Sequence, residues 1–275
     1  MGWTLRQAGR WSEGIRIGLA EGFDSGASLD HGYVNRAKGR TAAGRLLDRV
    51  YLSTSAWRAV RWRQRQLEVW LRDELDHRLE SPNDLSVRVL DLGSGLGRAT
   101  LTAAAAGRPA GKVRVTLLDA DARNLSRARR LGRELGVAED QIHTVHADIR
   151  GESALSGLAS SFDIVVASGL YEWIDDDQAV VRSLRAVSAV MRADGVLIYT
   201  GHPHHPNAQF MARHLPRAGG GTCMMRRRTP AELDAVVAAA GFTPGRAAAH
   251  PKHIFTVSLA HRRVDPALRP TQPHA

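Results

Sequence analysis

One stretch of the chain restricts its fold more than any other: VLDLGSGLGRAT, positions 89–100. An apolar run, VRVLDL, ends at Asp91-Leu92, and three glycines follow at once in Gly-x-Gly-x-Gly spacing, Gly93, Gly95 and Gly97, with Ser94 between the first two. A helix is expected from about Arg98. Glycines serve such a turn in two ways. The backbone must bend sharply, often at positive φ, and a ligand must reach the main chain without meeting a Cβ. A dinucleotide site would place the third glycine one residue later, and its helix N-terminus would face a pyrophosphate. Here Asp91 stands just before the turn, which suits a cationic ligand better than an anionic one.

The segments around this turn alternate in type. After the expected helix at 98–106, closed by Gly107, VRVTLLD (113–119) reads as a buried strand and ARNLSRARRLGREL (122–135) as an amphipathic helix closed by Gly136. IHTVHAD (142–148) and FDIVVAS (162–168) are the third and fourth strands, and DQAVVRSLRAVSAVM (177–191) is a long helix. GVLIYTG (195–201) is the fifth strand. TPAELDAVVAAAGF (229–242) is a helix with Thr229 as N-cap and Pro230 at its first position, and KHIFTVSLAHR (252–262) is a last strand. Strands alternating with helices of this length imply βαβ units and a mostly parallel, doubly wound α/β sheet.

Outside that pattern, residues 1–35 show no clean period and are expected to form a flexible arm or irregular structure. Residues 40–80 carry an apolar stripe at helical spacing, first Leu46, Leu47, Val50 and Tyr51, then Trp57, Val60, Leu67, Trp70 and Leu71. This predicts one broken helix or two packed helices, ended by Ser81-Pro82-Asn83-Asp84. The division expected is an N-terminal arm and helical cap over the substrate pocket (1–80), a Rossmann-like domain (81–262) and a disordered tail (263–275).

The 275 residues are 43% hydrophobic, enough to bury a sizeable core. No membrane-spanning run or secretory signal is visible, and the one cysteine, Cys223, forms no internal disulfide and reads as a small hydrophobe. These features favour the cytoplasm. The net charge of +10 comes almost wholly from arginine, since only three lysines occur. That is the bias of a GC-rich genome, but it also creates a field that attracts phosphates and acidic lipids.

The 89–100 stretch resembles motif I of class I S-adenosylmethionine (SAM)-dependent methyltransferases, whose ligand is a sulfonium bearing an α-amino group. The resemblance covers about 85–262 and implies a Rossmann-like fold, SAM as cofactor and S-adenosyl-L-homocysteine as product. It places Asp91 near the methionine end of SAM, with Gly93, Ser94, Gly95 and Gly97 as the loop around it. It further implies that Asp119, at the end of the second strand beside Ala120, bonds the ribose hydroxyls. Asp148, beside Ile149, would meet the adenine amino group, and Ser168 would border the methyl donor. A narrower resemblance rests on GRLLDRVYLSTSAWRAVRWRQ (44–64), SGLYEWIDDD (168–177), TGHPHHPN (200–207) and MRRRTPAELDAVVAAAGF (225–242). These segments are similar to a bacterial methyltransferase family whose members are sometimes fused to an α/β-hydrolase; no Gly-x-Ser-x-Gly elbow occurs here.

Methyl transfer from an activated sulfonium asks the protein mainly to align donor and acceptor, with a general base for a hydroxyl or carbon acid. The acceptor pocket is expected beyond the carboxyl ends of the strands. Candidates there are Tyr171, Glu172 and Trp173 after the fourth strand and His202, His204 and His205 after the fifth. Glu172 could orient or deprotonate the acceptor, with Tyr171 beside it, and His202 or His205 could supply a base. The alternatives are packing for the aromatic residues, surface charge for Glu172 and loop structure for the histidines. No metal site is expected, since no third ligand with clear spacing follows. Arg58, Arg61, Arg63 and Arg65, interleaved with Trp57 and Trp62, are expected to be solvated on a helix packed against the sheet. Contact of that helix with lipid or RNA is the competing reading, and Arg226, Arg227 and Arg228 are equally open. The expected partner is a small-molecule or lipid-like acceptor, with a biosynthetic role and a homodimer both compatible. RNA methylation and a SAM-binding scaffold catalysing another reaction are the alternatives.

Overall fold

The computed structural model describes residues 2–80, 86–107, 111–151, 153–158 and 161–263. The strands are β1 (Val87–Leu92), β2 (Val113–Asp119), β3 (Ile142–His146), β4 (Phe162–Ala167), β5 (Met191–Gly201), β6 (Phe242–Ala249) and β7 (Thr256–Arg262). They form one sheet in the order β3-β2-β1-β4-β5-β7-β6. The first five run parallel, and β7 is antiparallel to both of its neighbours. The order reverses beside β1, so the carboxyl ends of β1 and β4 diverge and leave the crevice in which open α/β sheets bind ligands.

Apart from the edge strand β3, the parallel strands are buried on both faces, which explains their continuous apolar runs. On one face Leu90, Leu92, Val165 and Leu197 pack with Val180 and Leu184 of α8 (Asp177–Val190) and Leu233 of α10 (Pro230–Ala239). On the other face Val89, Leu117, Ile164 and Ile198 pack with α6 (Arg98–Ala105), α7 (Ala122–Glu134) and Leu67, Leu71 and Leu75 of α5 (Ser55–Leu79).

The N-terminal 35 residues are not irregular. They form α1 (Gly2–Trp11), α2 (Glu13–Glu21) and α3 (Gly26–Val34), followed by α4 (Ala42–Leu52) and α5 (Ser55–Leu79). Small polar caps stand where a weak apolar period gives no warning: Ser12 accepts from the Ile15 N–H, Ser25 from Ser28 and Thr41 from Gly44. The hub of the four shorter helices is Asp48. Its buried carboxylate accepts from the Ser12 hydroxyl at 2.6 Å, the Gly14 N–H at 2.8 Å and the Lys38 N–H at 2.9 Å, and pairs with His31 at 3.0 Å. Leu46 and Val50 are exposed, because α4 turns Gly44, Asp48 and Leu52 inward instead.

Other departures have local causes. The 40–80 segment is two helices broken at Ser53-Thr54, and the expected break at 81–84, like the tail from 264, lies outside the described residues. β6 escapes sequence reading because Pro244-Gly245 interrupts it, which an edge strand tolerates. β5 begins at Met191, four residues early, through an irregular start beside β4. α9 (Ala208–His214) is a short helix not foreseen, and β7 starts only at Thr256, after a turn with His253 at φ 50°. Among the described residues, no helix is long and apolar enough to cross a membrane.

Candidate active site

Two cavities meet at the carboxyl ends of the strands. The larger, about 620 Å³, is a groove, and every cofactor position expected from the sequence lines it: Asp91, Gly93, Ser94, Gly95 and Gly97 at β1, Asp119 and Ala120 at β2, Asp148 and Ile149 after β3, and Ser168 after β4. Gly95 has φ +55°, and a Cβ there would come within 3.2 Å of the Gly26 Cα in the cap. Only glycine holds this left-handed bend under a backbone so close. The Gly95 N–H donates to Asp119 Oδ2 at 2.7 Å, while Asp119 Oδ1 accepts from the Asp121 N–H and from Asn124. A carboxylate offers about four lone-pair sites, so Asp119 has acceptor capacity left for a ligand.

The electrostatics of the groove are acidic. Asp91 is buried, and its carboxylate accepts from the Thr100 hydroxyl at 2.6 Å. Burial, with Asp119 nearby, pushes the Asp91 carboxyl up to about 7. Burial also raises Asp119, against the N–H donors of Asp121 and Gly95. A bound cation would relieve both. Asp148 sits differently, on the exposed rim, with its carboxylate paired to Arg150 at 2.6 Å. It must exchange that partner for any ligand it meets.

The second cavity, about 280 Å³, is walled by the cap and floored by polar groups, and Asp24, Leu29, Gly169 and Trp173 line both cavities. Glu172, His202 and His205 are brought together here, all three buried. Arg63 Nη1 lies 3.6 Å from Glu172 Oε1, and His202 Nδ1 lies 3.9 Å from the same oxygen. The His202 ring packs on Phe255 with centroids 4.2 Å apart. Burial, with His205 and Arg63 close by, holds His202 well below its ordinary value, so it is neutral at pH 7. Burial lowers His205 to about 4, and its Nδ1 accepts from the Asn207 N–H. Burial raises the Glu172 carboxyl, against the pull of Arg63.

Two expectations from the sequence are corrected, and the role left open for Arg228 is settled as structural. Tyr171 faces the sheet core and lines neither cavity; its hydroxyl lies 3.4 Å from Ser183. The 3₁₀ turn Tyr171–Trp173 sends adjacent residues to opposite sides, so Tyr171 and Glu172 part. Arg61 and Arg63 are buried and not solvated: Arg61 donates to the Gly32 and Leu52 carbonyls, and Arg63 to the Tyr33 hydroxyl. Arg228 is likewise buried, donating to Asp177 and to the carbonyls of Tyr171 and Ile174, and so fixes the turn that carries Glu172.

Arg63, Tyr51 and Phe255 line the smaller cavity without having been singled out from the sequence. Arg63 had a signal: it falls on the helical stripe Val60–Leu67–Trp70–Leu71, where a solvated arginine has no place. Tyr51 and Phe255 had none, since a cavity between sequence-distant elements leaves no local period.

The reversed last strand in the order 3-2-1-4-5-7-6, the cap and the acidic glycine-lined groove define the class I SAM-dependent methyltransferase fold. A family model described as "Putative methyltransferase" matches residues 1–262, cap included, and the chain belongs to that family. The chain is 33% identical over 261 residues to the "Uncharacterized protein YnbC" of Escherichia coli K12, a match covering 94% of this chain and 44% of YnbC. It is 28% identical over 141 residues to the E. coli K12 "tRNA 5-carboxymethoxyuridine methyltransferase", covering 50% of this chain and 49% of that protein. The chain thus spans about half the length of the curated relatives it matches. Among solved structures, the magnesium protoporphyrin IX methyltransferase of Synechocystis PCC 6803 with bound S-adenosylhomocysteine superposes with a TM-score of 0.58 at 13% identity, covering 89% of this chain and 98% of that one.

SAM is the cofactor of this class, and the groove fits it. The left-handed glycine turn leaves room for a ligand against the backbone, Asp91 faces a cation well, and Asp119 retains acceptor sites for hydroxyls.

Proposed function

We propose that this chain methylates a small, largely apolar molecule that enters the cap-walled cavity. The observation carrying the reading is the contact between the two cavities: Gly169 and Trp173 form the wall common to both, so a molecule in the smaller cavity would lie directly against the donor groove. Bound SAM supplies an activated methyl group on sulfur. The chain's own task is then to align, to exclude water and to handle a proton. Cap residues Ile15, Phe23 and Trp57 exclude water from the acceptor side, while Asp91 and Asp119 hold the cationic and ribose parts of the donor.

Methylation of RNA is the second reading. It is favoured by the net charge of +10 and by the similarity to the tRNA methyltransferase of E. coli. The two readings separate in one experiment. The purified protein is titrated with SAM and S-adenosylhomocysteine by calorimetry, then incubated with methyl-labelled SAM and a total cell extract. Label in the organic-soluble fraction, unaffected by ribonuclease, supports the proposal. Label in RNA, with binding that weakens steeply with salt, supports the alternative. Failure of the folded protein to bind SAM sinks both, and SAM binding with label in neither fraction leaves the SAM-binding scaffold.

A further inference from the structure

The polar floor of the acceptor cavity has an unusual feature. Among the described residues, Arg63 Nε, Glu172 Oε2 and both ring nitrogens of His202 are buried without a hydrogen-bond partner. Buried polar groups left unpaired are costly, and native proteins keep few of them without a reason. Here they converge at one end of one cavity. The other walls mix the aromatic Phe23, Tyr51, Trp57, Trp173, Phe210 and Phe255 with aliphatic side chains, and the Tyr51 hydroxyl is also buried without a partner.

Resting on the reading of this cavity as the acceptor site, we propose that the acceptor is a phenolic compound, methylated on its hydroxyl oxygen, with His202 receiving that hydroxyl and taking its proton beside Glu172. The inventory of free groups selects a hydroxyl. Glu172 Oε2 accepts when its carboxyl is ionised, Arg63 Nε can only donate, and neutral His202 offers one of each. A phenolic O–H can donate to the bare His202 ring nitrogen and accept from Arg63 Nε, which leaves Glu172 to face the imidazolium that forms. A carboxylate acceptor would face the Glu172 carboxylate, and an ammonium group would face Arg63. The aromatic walls suit a flat ring, which packs edge-to-face or offset against them.

The step balances as follows. A lone pair of the hydroxyl oxygen forms the O–C bond to the methyl group, and the donor sulfur keeps the electron pair of the broken S–C bond as a neutral thioether. The hydroxyl proton passes to a ring nitrogen of His202. The imidazolium so formed lies within reach of Glu172 Oε1, at 3.9 Å. The charged and titratable groups around His202 are Arg63 from α5, Glu172 from the 3₁₀ turn, His204 and His205 from its own loop, and Arg227 from the segment before α10; β7 contributes the apolar Phe255. His202 stays neutral among them at pH 7 and is therefore free to accept.

The test uses the full chain with SAM and three probes of one shape, 4-hexylphenol, 4-hexylaniline and 4-hexylbenzoic acid, with products identified by mass spectrometry. Formation of 4-hexylanisole, with no N-methyl or methyl ester product, is expected. Methylation of the aniline or the acid in preference to the phenol, or no ether from the phenol by protein that binds SAM, overturns the proposal. Protein that binds no SAM overturns the reading beneath it instead. His202→Asn and Glu172→Gln are then compared with wild type. His202→Asn is expected to lower kcat for the phenol about 100-fold, the order of a lost general base, with SAM affinity within twofold of wild type. Glu172→Gln is expected to lower kcat and raise the KM of the phenol. A His202→Asn enzyme that binds SAM and keeps wild-type kcat removes the base assignment. Should that variant not fold, the wild-type product pattern still decides the acceptor class.

Discussion

The Arg127 guanidinium donates to both oxygens of the Glu21 carboxylate, at 2.6 and 3.0 Å, and so ties α2 of the cap to α7 beside the cofactor groove. Two further pairs repeat the arrangement: Arg98 grips Asp30 of α3, and Arg217 reaches Asp24 at 3.1 Å. Each is half-exposed or less, and together they span the groove. Exposed pairs are worth about 0.2–1 kcal/mol each and are screened by salt. Arg98→Ala combined with Arg127→Ala is therefore expected to leave global stability within about 2 kcal/mol. Amide exchange over residues 13–34 should accelerate while that of β1 and β4 stays unchanged. Equal acceleration in both would mean that the cap and the sheet open as one unit.

With Asp91 facing the cation of SAM, as proposed, cofactor binding is expected to depend on pH. Its carboxyl is raised to about 7, far above the ordinary value near 4. A raised acid contributes stability that is full below the unfolded value and is lost as pH rises through the folded one. Apo stability should therefore decline between about pH 4 and pH 7. SAM affinity should move the opposite way, since the cation prefers ionised Asp91, rising by up to about tenfold per pH unit toward pH 7 and flattening above it. Calorimetry from pH 5.5 to 8.5 measures this directly. Asp91→Asn should bind weakly at every pH, and a wild-type affinity that is flat across the range would contradict the role given to Asp91.

Tyr171 supplies a negative control. Its ring fills the core and its hydroxyl has only the long contact to Ser183. Tyr171→Phe should keep kcat within twofold and change stability by less than about 1.5 kcal/mol, the range of one ordinary hydrogen bond. A large loss of kcat without loss of stability would return Tyr171 to the site.

Asp48 should be the most sensitive position of the cap. Burial opposes its ionisation, but the Ser12 hydroxyl and the N–H groups of Lys38 and Gly14 outweigh it and hold the carboxyl below the usual range. A depressed acid contributes stability that is present above the unfolded value near 4 and lost as pH falls through the folded one. Asp48→Ala leaves His31 and two N–H groups unpaired and should cost about 3–5 kcal/mol. The cap should lose its protection from proteolysis at neutral pH, while the circular dichroism of the sheet survives.

The five parallel strands and their helices were legible in the sequence because each depends on a local period and a local stop. The glycine turn, Asp91 and Asp119 were legible for the same reason, standing at strand ends where the pattern itself marks them. The cap was not. Its helices are short, their apolar residues few, and much of their cohesion comes from the polar hub at Asp48, whose partners Ser12, Gly14, His31 and Lys38 have no shared period. Tyr171 was misjudged because three residues in a row were treated as one loop surface, whereas a 3₁₀ turn separates them onto different faces. Arg63 was misjudged by charge alone, against the position it holds on its helix.

The smaller cavity takes its walls from Leu5 and Ile15 near one end of the described chain and from Phe255 near the other. At roughly 5–20 residues per second, a ribosome needs on the order of 12–50 seconds to travel from one to the other. Through that interval the inner face of the cap, with Ile15, Phe23 and Trp57, lacks the surface that finally shelters it. The newborn chain is therefore sticky before it is complete: the smaller cavity cannot close until β7 has emerged, and until then the cap is a surface open to a chaperone.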